Sequence, residues 1–102
     1  MSVKVSEWKP INRGALLGTC TVTLPSGMVL CEVSIFQSDT SLWAAPPSKP
    51  MIDRDGYVVT DNTGKRRYAT IIEFTSKELR DRWSAAVIEA LRAAYPKALR
   101  DE

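Results

Sequence analysis

The sequence predicts an α+β fold, in which an antiparallel sheet of about four to six strands, with two hairpins, precedes one long amphipathic helix. Apolar and polar residues alternate along most of the chain before residue 75, which is typical of half-buried strands. Proline, glycine and aspartate lie between these segments and favour tight turns. From Leu79 onward the apolar residues recur with a helical period. A helix that covers one face of a sheet forms a stable two-layer domain.

The first three strands follow from this alternation. Val3 to Trp8 is a strand that ends at Pro10, because proline cannot donate to a hydrogen-bond ladder. The segments Leu16–Leu24 and Met28–Phe36 form a hairpin around a Pro-Ser-Gly turn. Alternation predicts one apolar face made of Leu16, Gly18, Cys20, Val22, Leu24, Val29, Cys31, Val33 and Ile35. The opposite, more polar face carries Leu17, Thr19, Thr21, Thr23, Glu32 and Ser34.

Shorter elements follow the hairpin. Leu42–Ala45 is a short apolar strand that leads into the proline-rich loop 46–50, Pro-Pro-Ser-Lys-Pro. The turn sequence Asp-Arg-Asp-Gly at 53–56 lies between apolar residues and predicts a second hairpin. A further turn at 61–64 leads to the last strand, Tyr68–Phe74.

The helix has a marked beginning and end. Thr75 and Glu78 form a capping box, and Phe74 with Leu79 forms a hydrophobic staple. Glu78 and Arg82 are spaced for an ion pair on the polar side. Proline after Tyr95 ends the helix. The apolar stripe that we expect to face the sheet consists of Leu79, Trp83, Val87, Ala90, Leu91 and Ala94.

Length and composition restrict the class of protein. A chain of 102 residues forms one domain, which we place at residues 1–96, followed by a flexible tail at 97–102. The net charge of +2 is too small to indicate nucleic-acid binding by itself. No apolar run approaches the length of a membrane span, and the N-terminus has no apolar signal segment. We therefore expect a cytoplasmic protein that does not contact membranes.

The sequence gives little support for catalysis or for a bound metal. The chain has no histidine, which excludes His-based triads and the commonest metal ligand. Asp53 and Asp55, with Asp61 nearby, lack the further oxygen ligands of a calcium loop, so we interpret them as turn formers. Cys20 and Cys31 fit two reduced thiols, although a register that placed them opposite each other would allow a disulfide. We predict a non-enzymatic protein with no metal and no small-molecule cofactor.

Positive charge is concentrated in the second half of the chain. The densest cluster is Lys65-Arg66-Arg67, followed directly by Tyr68, and Lys49 follows Trp43 in the proline-rich region. Cations beside exposed aromatic rings suit a nucleic-acid strand, since cations hold phosphates and flat rings stack on bases. The same residues also fit a solvated turn, with both aromatic rings packed in the core.

A series of short motifs occurs in order over residues 3–95. In chain order they are Val3-Lys4-Val5, Arg13, the hairpin 17–36, the segment 42–49 ending in Pro-Ser-Lys, Asp55-Gly56, Arg66-Arg67-Tyr68-Ala69, Arg82, Ala86-Val87 and Tyr95. This order resembles the stage V sporulation protein G (SpoVG) family of small bacterial nucleic-acid-binding regulators. The sequence departs from the family's pattern at Pro46, where the family commonly has Met, and by about eight inserted residues at 57–64.

The resemblance implies a homodimer, built through its sheets, that binds DNA or RNA without catalysis. The basic positions of the family fall on Lys49, Arg66 and Arg67, within the cluster that the charge distribution already indicates. The predicted nucleic-acid-binding residues are Lys49, Arg54, Lys65, Arg66 and Arg67 for phosphates, with Trp43 and Tyr68 for stacking on bases.

Two alternatives remain open at the level of sequence. The rigid proline-rich loop 46–50 could be read by a partner protein, which would make the chain a protein-interaction module with no nucleic-acid role. Small sheet-plus-helix transcriptional coactivators that bind single strands share a similar order of elements, and sequence alone separates them poorly.

Overall fold

The computed structural model describes residues 2–100, with Thr70 described by its backbone alone; Met1, Asp101 and Glu102 lie outside the described residues. Its elements are β1 (Lys4–Arg13), β2 (Leu16–Thr23), β3 (Val29–Gln37), β4 (Leu42–Ala45), β5 (Ser48–Pro50), β6 (Tyr68–Thr70) and α1 (Lys77–Ala94). The first four strands form an antiparallel sheet in the order β1-β2-β3-β4, and β5 pairs with β6 in a separate two-stranded sheet. The predicted α+β class is confirmed.

The core lies between α1 and one face of the four-stranded sheet. The helix contacts both outer strands, β1 and β4, and therefore crosses the sheet. Its buried residues are Trp83, Val87, Ile88 and Leu91. The sheet contributes Leu17, Cys20, Val22, Leu30, Val33, Ile35 and Ala44. Within residues 2–100, no helix is both long enough and apolar enough to cross a bilayer.

Bulges interrupt the sheet and change which side chains face the core. Three non-glycine residues have a left-handed backbone, Glu7 (φ 51°), Asn12 (φ 55°) and Glu32 (φ 59°), and each lies at a register shift between paired strands. A fourth shift lies in β2 at Leu17. Each bulge inserts one residue on one strand, so the alternation of side chains changes parity there.

The bulges explain why the predicted faces of β2 and β3 were partly wrong. Leu17, expected on the polar face, is fully buried together with Cys20 and Val22. Val29 and Cys31, expected on the apolar face, are exposed, whereas the neighbouring Leu30 is buried. The prediction assumed unbroken alternation, and each one-residue insertion moves the following residues to the other face.

The predicted end of the first strand was also wrong, because β1 continues through Pro10 to Arg13. β1 is an edge strand, and proline is tolerated where its missing N–H would face solvent. The opposite edge is covered by the helix, since the Ala44 N–H donates to Ser84 Oγ at 2.8 Å. Proline on one edge and a helix on the other protect the sheet against pairing with a further strand.

The segment between β6 and α1 differs from its prediction in two ways. β6 ends at Thr70, not at Phe74, whose ring instead lies against the Trp83 ring with centroids 5.3 Å apart. The N-cap of α1 is Ser76, not Thr75, and its side chain accepts from the Leu79 N–H at 3.2 Å. Thr75 is thus one residue too early to cap the helix.

Two other helix predictions are confirmed. Arg82 donates to Glu78 at 2.9 Å, and the helix ends before Tyr95, whose N–H donates to the Leu91 carbonyl. The burial of Ile88 is a difference from the predicted apolar stripe. Leu79 and Ala94, which were predicted to face the sheet, are exposed, so the buried stripe is shorter than predicted at both ends of the helix.

The end of the chain contacts the sheet as far as residue 100. Ala98 and Leu99 pack against the core. Arg100 Nη2 donates to the Gly14 carbonyl at 2.7 Å, and the Arg100 backbone N–H donates to Gln37 Oε1 at 2.9 Å. The last two residues of the predicted flexible tail 97–102 lie outside the described residues, and the flexibility of the tail stays a prediction.

The two cysteines allow a test of the register between β2 and β3. Cys20 pairs with Val33, not with Cys31, and both thiols are free. We expect a thiol reagent to label exposed Cys31 but not buried Cys20 in the native protein at pH 8. Burial raises the pKa of Cys20 to about 11, and the thiolate is the reactive form. Mass spectrometry should count one label per native chain and two in denaturant; rapid labelling of both native thiols would contradict this register.

The raised pKa of Cys20 also predicts how the folding stability changes at alkaline pH. Because the pKa of Cys20 rises from its ordinary value of 9.0 to about 11, the folded state favours the neutral thiol. The contribution of this group to folding stability is complete below about pH 9 and is lost as the pH rises toward 11.

Candidate functional site

Residues 48–70, which we call the basic arm, leave the four-stranded sheet after β4 and return before α1. Three backbone hydrogen bonds close this arm into a loop of backbone, which we call the backbone ring to distinguish it from the aromatic rings. The Met51 N–H donates to the Arg67 carbonyl (2.8 Å), Arg67 N–H to the Val59 carbonyl (2.9 Å) and Val59 N–H to the Met51 carbonyl (2.8 Å). Residues 57–64, which the resemblance implied to be an insertion, therefore supply one of the three segments of the backbone ring.

Two turns with the same hydrogen-bond pattern project from this backbone ring. In the first, Asp53 Oδ1 accepts from the N–H groups of Asp55 (3.0 Å) and Tyr57 (2.9 Å). In the second, Asp61 Oδ1 accepts from the N–H groups of Thr63 (2.8 Å) and Lys65 (3.0 Å). Both turns follow the pattern Asp-x-x-Gly, with the two aspartates eight residues apart. The interpretation of Asp53 and Asp61 as turn formers is confirmed.

The charged form of Asp61 is favoured by its turn. The Thr63 hydroxyl, which donates to Asp61 Oδ1 at 2.7 Å, and then the backbone N–H groups of Thr63 and Lys65 hold the pKa of this carboxyl below its ordinary value of 3.8. This carboxylate is occupied by local donors and leaves the neighbouring cations without a close acidic partner.

The basic arm carries a surplus of positive charge that equals that of the whole chain. It contains five cations (Lys49, Arg54, Lys65, Arg66 and Arg67) and three carboxylates (Asp53, Asp55 and Asp61), a surplus of two against a net charge of +2 overall. All five cations are exposed. Within residues 2–100, none of them forms an ion pair, whereas four cations outside the arm do: Lys9, Lys77, Arg80 and Arg82.

The strand pairing distributes these side chains over two surfaces of the arm. Lys49 lies opposite Ala69, and Pro50 lies opposite Tyr68. Since opposed residues share a face and neighbours alternate, Lys49 and Arg67 lie on one face of the β5–β6 ladder and Tyr68 on the other. The arm therefore presents cations and an aromatic ring on different sides of a thin ladder.

The aromatic residues predicted for the site are separated by the fold. Tyr68 lies in the arm and is 56% exposed. Trp43 lies on the four-stranded sheet, where its ring stacks on Phe36 with centroids 5.3 Å apart and an interplanar angle of 12°. The structure thus brings six of the seven predicted site residues into the arm and places Trp43 on the main sheet.

The sequence prediction missed Tyr57 as a site residue. Tyr57 follows the first turn of the arm, and its side chain is 72% exposed. Tyr57 directly follows the turn of the predicted second hairpin, in which an aromatic residue usually packs against neighbours. The repeat of Asp-x-x-Gly eight residues apart is the pattern that could have identified it, because it places Tyr57 and Lys65 at equivalent positions.

The proline-rich loop is only partly free. Pro46 and Pro47 are half-buried, and Ser48 to Pro50 form β5, which pairs with β6. The backbone of the second half of the loop is therefore engaged within the chain. This arrangement leaves a shorter extended segment for a partner protein than the sequence predicted.

Two further findings complete the description of the site. Among residues 2–100, no group of three or more His, Cys, Asp or Glu side chains is arranged to hold a metal ion. Comparison of the chain with protein-family models, with curated proteins and with solved structures gives no match.

Proposed function

We propose that this chain is a small, non-enzymatic nucleic-acid-binding regulator of the SpoVG type, which contacts DNA or RNA through the basic arm. The observation that carries the proposal is the set of five exposed cations in the arm, none of which is paired with a carboxylate of residues 2–100. Unpaired cations are free to neutralise phosphates and to release the counterions condensed on a nucleic acid.

The distribution of charge supports this surface over the rest of the molecule. Outside the arm the chain has nine basic and nine acidic residues, so its charge is balanced there. On α1 three cations are close to carboxylates: Lys77 and Arg80 to Asp81, and Arg82 to Glu78. An approaching polyanion is therefore attracted mainly by the arm.

The order of elements also supports the SpoVG resemblance. The hairpin of β2 and β3, the short strand β4, the Pro-Ser-Lys segment, the Asp-Gly turn, the basic residues before β6 and the helix follow each other in the order that the resemblance implies. The homodimer and the cytoplasmic location belong to the same proposal. Sedimentation velocity of the purified chain tests the dimer, since a monomer at all concentrations would contradict it.

The first test of the function is the double substitution Arg66→Ala/Arg67→Ala. We expect affinity for labelled oligonucleotides to fall at least about tenfold at low salt, because two phosphate contacts are lost. The slope of log K against log salt should decrease in magnitude by about 1.4–1.8, which is the release of two counterions from a single strand or a duplex. Fluorescence anisotropy at several salt concentrations measures both quantities.

The matched control is Arg80→Ala/Arg82→Ala on the helix. It changes the net charge by the same amount but removes cations that lie beside Asp81 and Glu78. We expect its affinity and its salt slope to stay close to those of the unmodified protein. Equal losses for both double variants would assign the binding to net charge alone, and an unaltered arm variant would show that the site lies elsewhere.

A further inference from the structure

Tyr57 has the highest exposure among the large hydrophobic residues that the structure describes as exposed. Its side chain is 72% exposed, although burial of a tyrosine ring is favourable. Within residues 2–100, the stacked or tilted ring pairs are Phe36 with Trp43 and Phe74 with Trp83, so Tyr57 has no aromatic partner. The ring is a flat apolar surface that stands in solvent in the most basic part of the chain.

The backbone of Tyr57 is held on both sides by one residue. The Tyr57 N–H donates to Asp53 Oδ1 at 2.9 Å, and the Tyr57 carbonyl accepts from the Asp53 N–H at 2.9 Å. Two hydrogen bonds to a tight turn restrict the backbone from which the ring projects. The backbone that carries the ring therefore has little conformational entropy left to lose on binding.

The second turn holds a cation in the equivalent position. The Lys65 N–H donates to Asp61 Oδ1 at 3.0 Å, and the Lys65 carbonyl accepts from the Asp61 N–H at 2.8 Å. Both turns belong to the backbone ring that is closed by hydrogen bonds between Met51, Val59 and Arg67. One turn thus carries an aromatic residue and its equivalent carries a lysine, the two residue types that bind the bases and the phosphates of a nucleotide strand.

We propose that Tyr57 is a base-stacking residue positioned by Asp53, and that the basic arm consequently selects single-stranded over duplex nucleic acid. This inference rests on the function proposed above and names the class of target. Bases of a single strand can be turned outward to stack on a protein ring, whereas bases within a duplex already stack on each other. The stacking contact tolerates any base, because every base has a π-face, and it neutralises no phosphate.

The test measures binding of single-stranded DNA, single-stranded RNA and duplex DNA of one length by fluorescence anisotropy. Tyr57→Phe keeps the flat ring and should bind single strands within about twofold of the unmodified protein. Tyr57→Leu keeps apolar bulk without a π-face and should weaken single-strand binding about tenfold, with duplex binding unchanged. The salt slope should stay the same in both variants, because no phosphate contact is removed.

Separate variants test whether Asp53 positions Tyr57. Asp53→Ala should weaken single-strand binding as much as Tyr57→Leu does, and the double variant should be no weaker than either single variant. Asp53→Asn keeps the side-chain acceptor and should restore binding. The control Ile52→Ala removes another exposed apolar side chain of the arm, 53% exposed, and should leave binding unchanged.

The outcomes separate this inference from the proposed function. If the unmodified protein binds and Arg66→Ala/Arg67→Ala weakens binding, but Tyr57→Leu binds single strands normally, the stacking role is wrong and the proposed function stands. If Tyr57→Leu weakens single-strand and duplex binding equally, the selection of single strands is wrong. If the unmodified protein binds no nucleic acid at low salt, the proposed function itself fails. Selective loss for DNA or for RNA strands alone supports the inference and identifies the natural target.

Discussion

Replacement of Trp83 by alanine is expected to lower the free energy of unfolding by about 3–5 kcal/mol, the range for a buried aromatic residue cut to a methyl group. Trp83 is 2% exposed and lies between the helix and the sheet, with its ring against Phe74. A domain of this size is stable by only about 5–15 kcal/mol, so the variant loses a large share of its stability. Urea unfolding followed by far-UV circular dichroism measures the difference.

Two control variants identify the cause of that loss. Leu79→Ala removes an apolar residue from the same stripe of α1, but its side chain is 37% exposed, so the expected cost is about 1 kcal/mol or less. Trp83→Phe should cost less than Trp83→Ala, since it keeps a ring and removes the buried Nε1–H, which has no hydrogen-bond partner among the described residues. Equal costs for Leu79→Ala and Trp83→Ala would contradict the packing of α1 on the sheet.

Gly18→Ala is expected to destabilise the sheet by about 3 kcal/mol or more, which is the upper range for an overpacked site. A Cβ at Gly18 would collide with the carbonyl oxygen of Lys9 and would lie 2.8 Å from Trp8 Cη2 and 3.0 Å from Pro10 Cα. Two of these three atoms belong to the backbone of β1. The clash cannot be relieved by a side-chain rotation, so β1 must move away from β2.

The control variant lies on the same strand as Gly18. Thr19 is the next residue of β2 and is half-buried, so Thr19→Ala should lower the free energy of unfolding by about 1 kcal/mol or less. Trp8→Ala/Gly18→Ala removes the ring from the collision but leaves the contact with the Lys9 carbonyl, so it should not recover stability. A Gly18→Ala protein as stable as the unmodified one would show that β1 and β2 do not approach as described.

The basic arm depends on different forces from the sheet. No side chain of residues 48–69 is buried, so hydrophobic burial contributes little to its order. The arm is held by the three hydrogen bonds of its backbone ring and by the aspartate-based turns. Segments of this kind open at lower free energy than the core. Amide hydrogen exchange should therefore be faster at Val59 and Arg67 than at Val33, without loss of the fold.

The sequence by itself determined the class of the fold and the kind of every element except β5, which was predicted as part of the proline-rich loop. Alternation identified the strands, and the change of period identified the helix, because both patterns follow from local geometry. The turn chemistry of Asp53 and Asp61 was equally local, as each carboxylate bonds to backbone groups at most four residues away. The basic cluster of the candidate site was visible for the same reason, since its residues are close along the chain.

Only the tertiary structure decided which faces are buried and which residues meet. The bulges at Glu7, Asn12 and Glu32 depend on pairing with another strand, so alternation within one strand could not place Leu17 or Cys31 correctly. The hydrogen bonds of the backbone ring, between Met51, Val59 and Arg67, join residues that are eight and sixteen positions apart. Because of these hydrogen bonds, residues 57–64, an apparent insertion in the sequence, form part of the candidate site, and Tyr57 is exposed to solvent. The path of the basic arm depends on non-local hydrogen bonds and not on local propensity.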